Sequence, residues 1–142
     1  MTKKTNPMAR KANIVFRKAQ MSIDNHVVPQ LRAHGVTHTQ FGVLDYLYSK
    51  GEQKVGQLLT GLLATSGNMT VVLKNMEKKG WVYRRPCPDD RRASLVGLTD
   101  SGRDLIARIL PEHLDRVEDA MSVLTEEEQE QLISLLKKFK NL

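Results

Sequence analysis

The sequence predicts a mainly α-helical chain with a small β-hairpin, an α+β fold, on three observations. Apolar residues recur at three- and four-residue spacing along most of the chain, which is the period of an amphipathic helix. Two short runs, Trp81 to Arg85 and Ser94 to Leu98, read instead as strands, and Pro86, Pro88, Asp89 and Asp90 between them supply turn chemistry. A length of 142 residues supports one compact structural domain with a core of moderate size.

Taken in order, residues 1 to 7 are polar, contain Pro7 and read as a loose arm. From about Met8 to Arg32, Ala12, Val15, Phe16, Ala19, Ile23, Val27 and Leu31 share a helical stripe, and Pro29 is expected to kink the last turns or end the helix early. Thr37 and Gln40 form a capping box, with Val36 and Phe41 at the spacing of a hydrophobic staple. The helix they open carries Leu44, Leu47 and Tyr48 on one face and stops at Gly51. A short helix from about Val55 to Leu63 buries Val55, Leu58, Leu59 and Leu62, and a turn at Ala64 and Thr65 follows. The next helix is capped by Thr65 or Ser66, buries Met69, Val72, Leu73 and Met76, and ends at Gly80 in a left-handed conformation.

After the hairpin, Thr99 caps a helix whose apolar face runs through Leu105, Ile106, Ile109, Leu110, Leu114, Val117 and Met121, with a bend expected at Pro111. Thr125 and Glu128 form a second capping box, ahead of a final helix carrying Leu132, Leu135, Leu136 and Phe139. The terminal helices hold more apolar surface than one small core can cover, so a homodimer interface is expected there.

Two short helices joined by a tight turn, the second with a polar outer face and a hairpin behind it, make a winged helix-turn-helix pattern. Gly67, Thr70, Val71, Lys74 and Lys78 lie opposite the buried face of the second helix, a set of small, hydroxyl, methyl-bearing and cationic groups suited to a DNA major groove. Arg91 and Arg92 are placed at the base or flank of the wing, within reach of a minor groove. Charge agrees with this reading. Lys and Arg number 22 against 16 Asp and Glu, a formal charge of +6, and residues 66 to 92 hold seven bases against three acids. Lys3, Lys4, Lys78, Lys79, Arg84 and Arg85 become plausible phosphate contacts if they share that surface. Residues 112 to 130 carry eight acids against Arg116 alone and should repel nucleic acid.

The stretch Ser66 to Gly80, and above all Pro88-Asp89-Asp90-Arg91-Arg92 followed by Leu98-Thr99-Asp100-Ser101-Gly102, resembles the MarR family of bacterial winged helix-turn-helix transcription regulators. The resemblance spans nearly the whole chain and is strongest from Thr37 to Leu105. It implies a homodimer that binds a pseudo-palindromic operator in double-stranded DNA, acting as a repressor relieved by a small aromatic or phenolic ligand or by oxidation. It divides the chain into an arm and dimerisation helix over 1–34, a winged helix-turn-helix lobe over 35–99 and dimerisation helices over 100–142. By position, it assigns Ser66, Asn68, Thr70, Val71 and Lys74 to the recognition helix, and Arg84, Arg91 and Arg92 to the wing. Asp90 matches the aspartate that braces the wing arginine; a bidentate hydrogen bond to the guanidinium and a simple staple of the hairpin both suit that position.

The remaining features are weaker. Cys87, the single cysteine, stands beside Arg84 and Arg85, and reads either as a redox sensor or as a passive wing residue. A lone cysteine also fits a reducing compartment, and with no apolar stretch of membrane-span or signal-peptide character the expected location is the cytoplasm. His26, His34, His38 and His113 form no metal-ligand spacing, so they read as surface or pocket residues. Phe41, Tyr46 and Tyr48 read either as core or as the lining of a ligand cavity. No phosphate loop, nucleophile elbow or usable Cys/His/Asp arrangement is present, so neither enzymatic activity nor a cofactor is expected. A protein-interaction module or an RNA-binding winged helix is the alternative reading.

Overall fold

The computed structural model describes residues 6–62 and 66–139. Its elements are α1 (Pro7–Ala33), α2 (His38–Lys50), β1 (Gln53–Lys54), α3 (Val55–Leu62), α4 (Ser66–Lys78), β2 (Val82–Cys87), β3 (Asp90–Leu98), α5 (Asp100–Met121) and α6 (Glu126–Leu136). The chain divides into two compact units, Gln30–His113 and Met1–Pro29 with Leu114–Leu142.

In the first of these units, one core gathers Leu31, Val36, Phe41, Leu44, Leu47, Leu58, Met69, Leu73, Met76, Val82, Val96, Ile106 and Ile109, from every element of that unit except β1. The expected capping box opens α2, with Thr37 accepting from the Gln40 amide and the Gln40 side chain accepting from the Thr37 amide. Gly51 ends α2 at φ +77, a conformation that a side chain would strain. Gly80 (φ +74) does the same for α4: its amide bonds Glu77 O and the Trp81 amide bonds Met76 O, the two bonds of a Schellman motif. Tyr48, expected on the inner face of α2, is 39% exposed, because the α2 stripe is completed by Val43 instead.

The hairpin differs from expectation. It is the larger part of a three-stranded antiparallel sheet ordered β1-β3-β2, and β1, which pairs Gln53 with Val96 and Lys54 with Leu95, was not expected. Pro86 does not end the pairing: β2 continues through it to Cys87, leaving Pro88 and Asp89 as the turn. The register runs regularly from Val82↔Leu98 to Pro86↔Ser94 and then jumps to Cys87↔Asp90. Arg91, Arg92 and Ala93 therefore have no partners on β2 and form a bulge. Pro86 has no amide hydrogen to continue the ladder, so the break falls where its backbone leaves off.

In the second unit, Arg116 donates to His26 O at 3.4 Å and His26 Nε2 lies 2.8 Å from Asp119 Oδ2. Thr125 and Glu128 form the expected capping box of α6. Two local expectations, at Asn6 and Pro7 and at Phe139, are corrected. Asn6 and Pro7 start α1 rather than belonging to a loose arm: Asn6 Oδ1 accepts the Met8 amide at 3.0 Å, and Pro7 stands first in the helix, where a missing amide costs nothing. α1 passes through Pro29 without ending early, and α5 likewise runs through Pro111. Phe139 lies beyond the end of α6 and is exposed. Met8, Val15, Phe16, Met21, Val123, Ile133 and Leu135 are exposed as well. The expected turn at Ala64, the Thr65 cap, the end of the third helix at Leu63 and the basic pair Lys3 and Lys4 lie outside the described residues.

Candidate nucleic-acid interface

α4 turns its apolar residues Met69, Leu73 and Met76 fully inward, with Val72 half-buried beside them. That burial fixes which face remains in solvent. Asn68, Thr70, Val71, Lys74 and Lys78 are exposed, and Val71 keeps 58% of its surface in solvent. Ser66 and Gly67 form the first turn of the same helix. Asn68, Thr70, Val71, Lys74 and Lys78 thus make one solvated helix face of mixed polar and cationic character.

The wing is tied to α4 at its base and midway along β2. Thr99 donates its hydroxyl to Gly80 O at 2.5 Å, accepts the Gly102 amide at 3.1 Å, and gives its own amide to Trp81 O at 3.1 Å. Gly102 packs so closely on this junction that a Cβ there would lie 2.0 Å from Trp81 O. Further out, Arg84 Nε lies 3.4 Å from Glu77 Oε1, an ion pair between β2 and α4. Lys79 stacks its ammonium 4.6 Å from the centre of the Trp81 ring.

Arg84 and Arg85, grouped in sequence as phosphate contacts, are thus both engaged within the protein. Arg85 donates from Nε to Glu52 Oε2 at 2.9 Å and from Nη2 to Glu52 Oε1 at 2.6 Å, while the Tyr83 hydroxyl donates to Glu52 Oε2 at 2.5 Å. These bonds favour the charged carboxylate, and Arg85 first, then Tyr83, hold the Glu52 pKa at about 2, against an ordinary 4.5. The same carboxylate raises the pKa of Tyr83 by stabilising its protonated phenol. The sequence reading missed Glu52 and Glu77. The available signal for Glu52 was Gly97, a glycine inside a strand pattern, which marks a place where another group crosses the backbone.

Arg91 and Arg92 are exposed on the bulge, next to the turn, and so stand at the tip of the wing rather than at its base. Asp90 Oδ1 accepts the Arg92 backbone amide at 2.9 Å, a local bond within the hairpin rather than one to the guanidinium. This bond shapes the bulge. Cys87 closes β2 opposite Asp90 and is only 5% exposed.

The other groups weighed in sequence are dispersed. Phe41 is core and stacks on His113, ring centres 4.1 Å apart. Burial depresses the His113 pKa, an effect that Asp45 opposes and His38 adds to. Tyr46 lines an open groove of about 550 Å³ with Lys54, Gln57, Thr60 and Ala93. Among the described residues, no group of three or more His, Cys, Asp or Glu could hold a metal ion, and no helix is long and apolar enough to cross a membrane.

The MarR family profile matches residues 36–94, from just before α2 into β3. An uncharacterized HTH-type transcriptional regulator of Bacillus subtilis, YkoM, is 40% identical over 87% of this chain and 80% of its own length. The chain belongs to the MarR family. A second MarR-type relative, the HTH-type transcriptional regulator MhqR of Bacillus subtilis, is 36% identical over 88% of this chain and 86% of its own. Among solved structures, a MarR family transcriptional regulator from Streptomyces coelicolor in complex with DNA superposes with a TM-score of 0.87. It is 26% identical and covers 96% of this MarR-family chain and 88% of its own.

Proposed function

We propose that this MarR-family chain is a homodimeric transcriptional regulator that binds a pseudo-palindromic operator in double-stranded DNA and represses transcription. One observation carries the reading: the solvated face of α4 lies in the same compact unit as a wing whose bulged tip exposes Arg91 and Arg92. Asn68, Thr70, Val71 and Lys74 contact base edges in a major groove, with Ser66 at the start of the helix, and Arg91 and Arg92 enter the neighbouring minor groove. The Streptomyces relative solved in complex with DNA supports DNA as the partner. Exposed Met8, Val15, Phe16, Ile133 and Leu135 supply the apolar surface for a second copy, and half-sites fall about one helical turn, roughly 34 Å, apart.

Arg84 and Asp90 act in this reading as supports of the wing, since their contacts are to Glu77 and to the Arg92 amide. Release follows binding of a small aromatic or phenolic effector. The burial of Cys87 favours that route over oxidation of the wing thiol. The test is selection of bound duplexes from a random pool by the purified protein, with affinities measured across salt concentrations. Arg92→Ala should weaken binding to all sequences and flatten the salt dependence, whereas Thr70→Ala should change the preferred bases. Binding with no sequence preference and no steep salt dependence would favour a protein-interaction module instead. Repeating the measurement with phenolic compounds and with peroxide tests the mode of release.

A further inference from the structure

The three donors on Glu52 come together through one row of the sheet. Gln53 pairs with Val96, so the same register carried back one residue sets Glu52 level with Gly97, and Gly97 pairs in turn with Tyr83 on β2. The middle position of that row has no side chain. A Cβ on Gly97 would lie 2.3 Å from the Tyr83 hydroxyl oxygen and 2.4 Å from its ring carbon, so the tyrosine lies across β3 because glycine is there. Its hydroxyl reaches Glu52 Oε2, and Arg85, two residues on along the same face, closes a two-pronged bond on the same carboxylate. Glu52 itself follows the Gly51 cap of α2 directly, and its neighbour Gln53 is held by β1 pairing, so its backbone is anchored on both sides.

Beyond the Arg85↔Leu95 pair, two pairs remain on β2, one on each side of the register jump. One further pair, Pro86↔Ser94, precedes the register jump, and Pro86 contributes no amide hydrogen. Arg85 is therefore the last side chain of β2 ion-paired to the body of the lobe before the bulge that carries Arg91 and Arg92, while Arg84 is held to α4 from the opposite face of the strand. We propose that Glu52 is a positioning residue for DNA binding: by clamping Tyr83 and Arg85 across Gly97, it sets where the wing-tip arginines stand relative to α4. This rests on the DNA-binding reading above.

The sign of one substitution separates this role from the alternative. Glu52→Ala removes a negative charge and frees Arg85, so if Arg85 were itself a phosphate ligand, or if net charge governed affinity, binding would tighten. The positioning role makes the opposite prediction. On a duplex recovered from the random-pool selection, Glu52→Ala should bind roughly tenfold more weakly, the scale of withdrawing one arginine from a groove. The slope of log affinity against log salt should fall in magnitude by about one for each phosphate the wing no longer neutralises. Oligomeric state should not change, and the charge-swapped pair Glu52→Arg with Arg85→Glu should regain most of the affinity. Equal or tighter binding by Glu52→Ala, at an unchanged or steeper slope, overturns the proposal. Should that variant fail to fold, Glu52→Gln decides on the same two readouts. Wild type and Arg92→Ala are measured alongside: a wild type that binds no duplex refutes the DNA-binding reading itself, whereas a wild type that binds and a Glu52 variant that matches it refute only the positioning role.

Discussion

Leu73 and Val71 are two residues apart on α4 and should answer mutation in opposite ways. Leu73 has 0% of its surface exposed and packs in the core with Met69, Met76, Leu44, Leu47, Leu58, Val96 and Ile106. Truncation to alanine removes the transfer energy of its branched end and leaves a cavity that closely packed neighbours fill only in part. The cost is about 3 kcal/mol, within the range for buried leucines. At about 2–4 °C per kcal/mol for a chain of this size, the melting temperature should fall by about 6–12 °C. Val71 is 58% exposed, and alanine is the better helix former, so Val71→Ala should move stability by less than about 0.5 kcal/mol. Its effect should appear in the bases preferred at one operator position, where its methyl groups no longer reach. Urea unfolding of both variants at one protomer concentration, since association adds to stability, with pool selection on Val71→Ala, makes the comparison. A loss below about 1 kcal/mol for Leu73→Ala, or equal losses for the two, would refute the assignment of the faces of α4.

Gly102→Ala should destabilise by at least about 1–3 kcal/mol, because the new Cβ would sit 2.0 Å from the Trp81 carbonyl that anchors Thr99. Gly56→Ala, where nothing lies within 4 Å, is the matched control and should cost nothing in thermal unfolding. Acidification should report His113: its folded pKa is depressed by burial, so the unfolded chain takes up the proton first, and stability falls as pH drops below about 6.5. His113→Gln should flatten that part of the stability profile. The Glu52 carboxyl carbon, followed by NMR, should titrate near pH 2 rather than near 4.5, and the stabilisation from its ionised form should be lost progressively between those values as pH falls. Arg85→Ala should return that titration toward 4.5; an unmoved midpoint would contradict the clamp.

Much of this fold is legible residue by residue, because its signals are local. The boxes at Thr37 and Thr125, the stops at Gly51 and Gly80, and the buried stripe of α4 each arise from residues within a few positions of one another. The same holds for the exposed face of α4, which is simply what remains once Met69, Leu73 and Met76 turn inward. What escaped the sequence reading depends on partners distant along the chain. β1 is two residues long and exists only because β3 has a free edge to pair with Gln53 and Lys54. Arg84 and Arg85 read as a solvated basic pair until Glu77 and Glu52 are brought beside them. The place of Arg91 and Arg92 at the tip follows from a register jump at Pro86, which turn chemistry alone does not specify.

In the proposed complex the solvated face of α4 and the arginine-bearing wing together read one half of a duplex, and a second copy reads the other. Pool selection followed by native mass spectrometry of the purified complex tests it most directly. Two chains per duplex are expected on an inverted repeat whose halves are centred about 10 base pairs apart, with Arg92→Ala weakening binding to every recovered sequence. One chain per duplex, a recovered pool without an inverted repeat, or an Arg92→Ala protein that binds as tightly as wild type would contradict it.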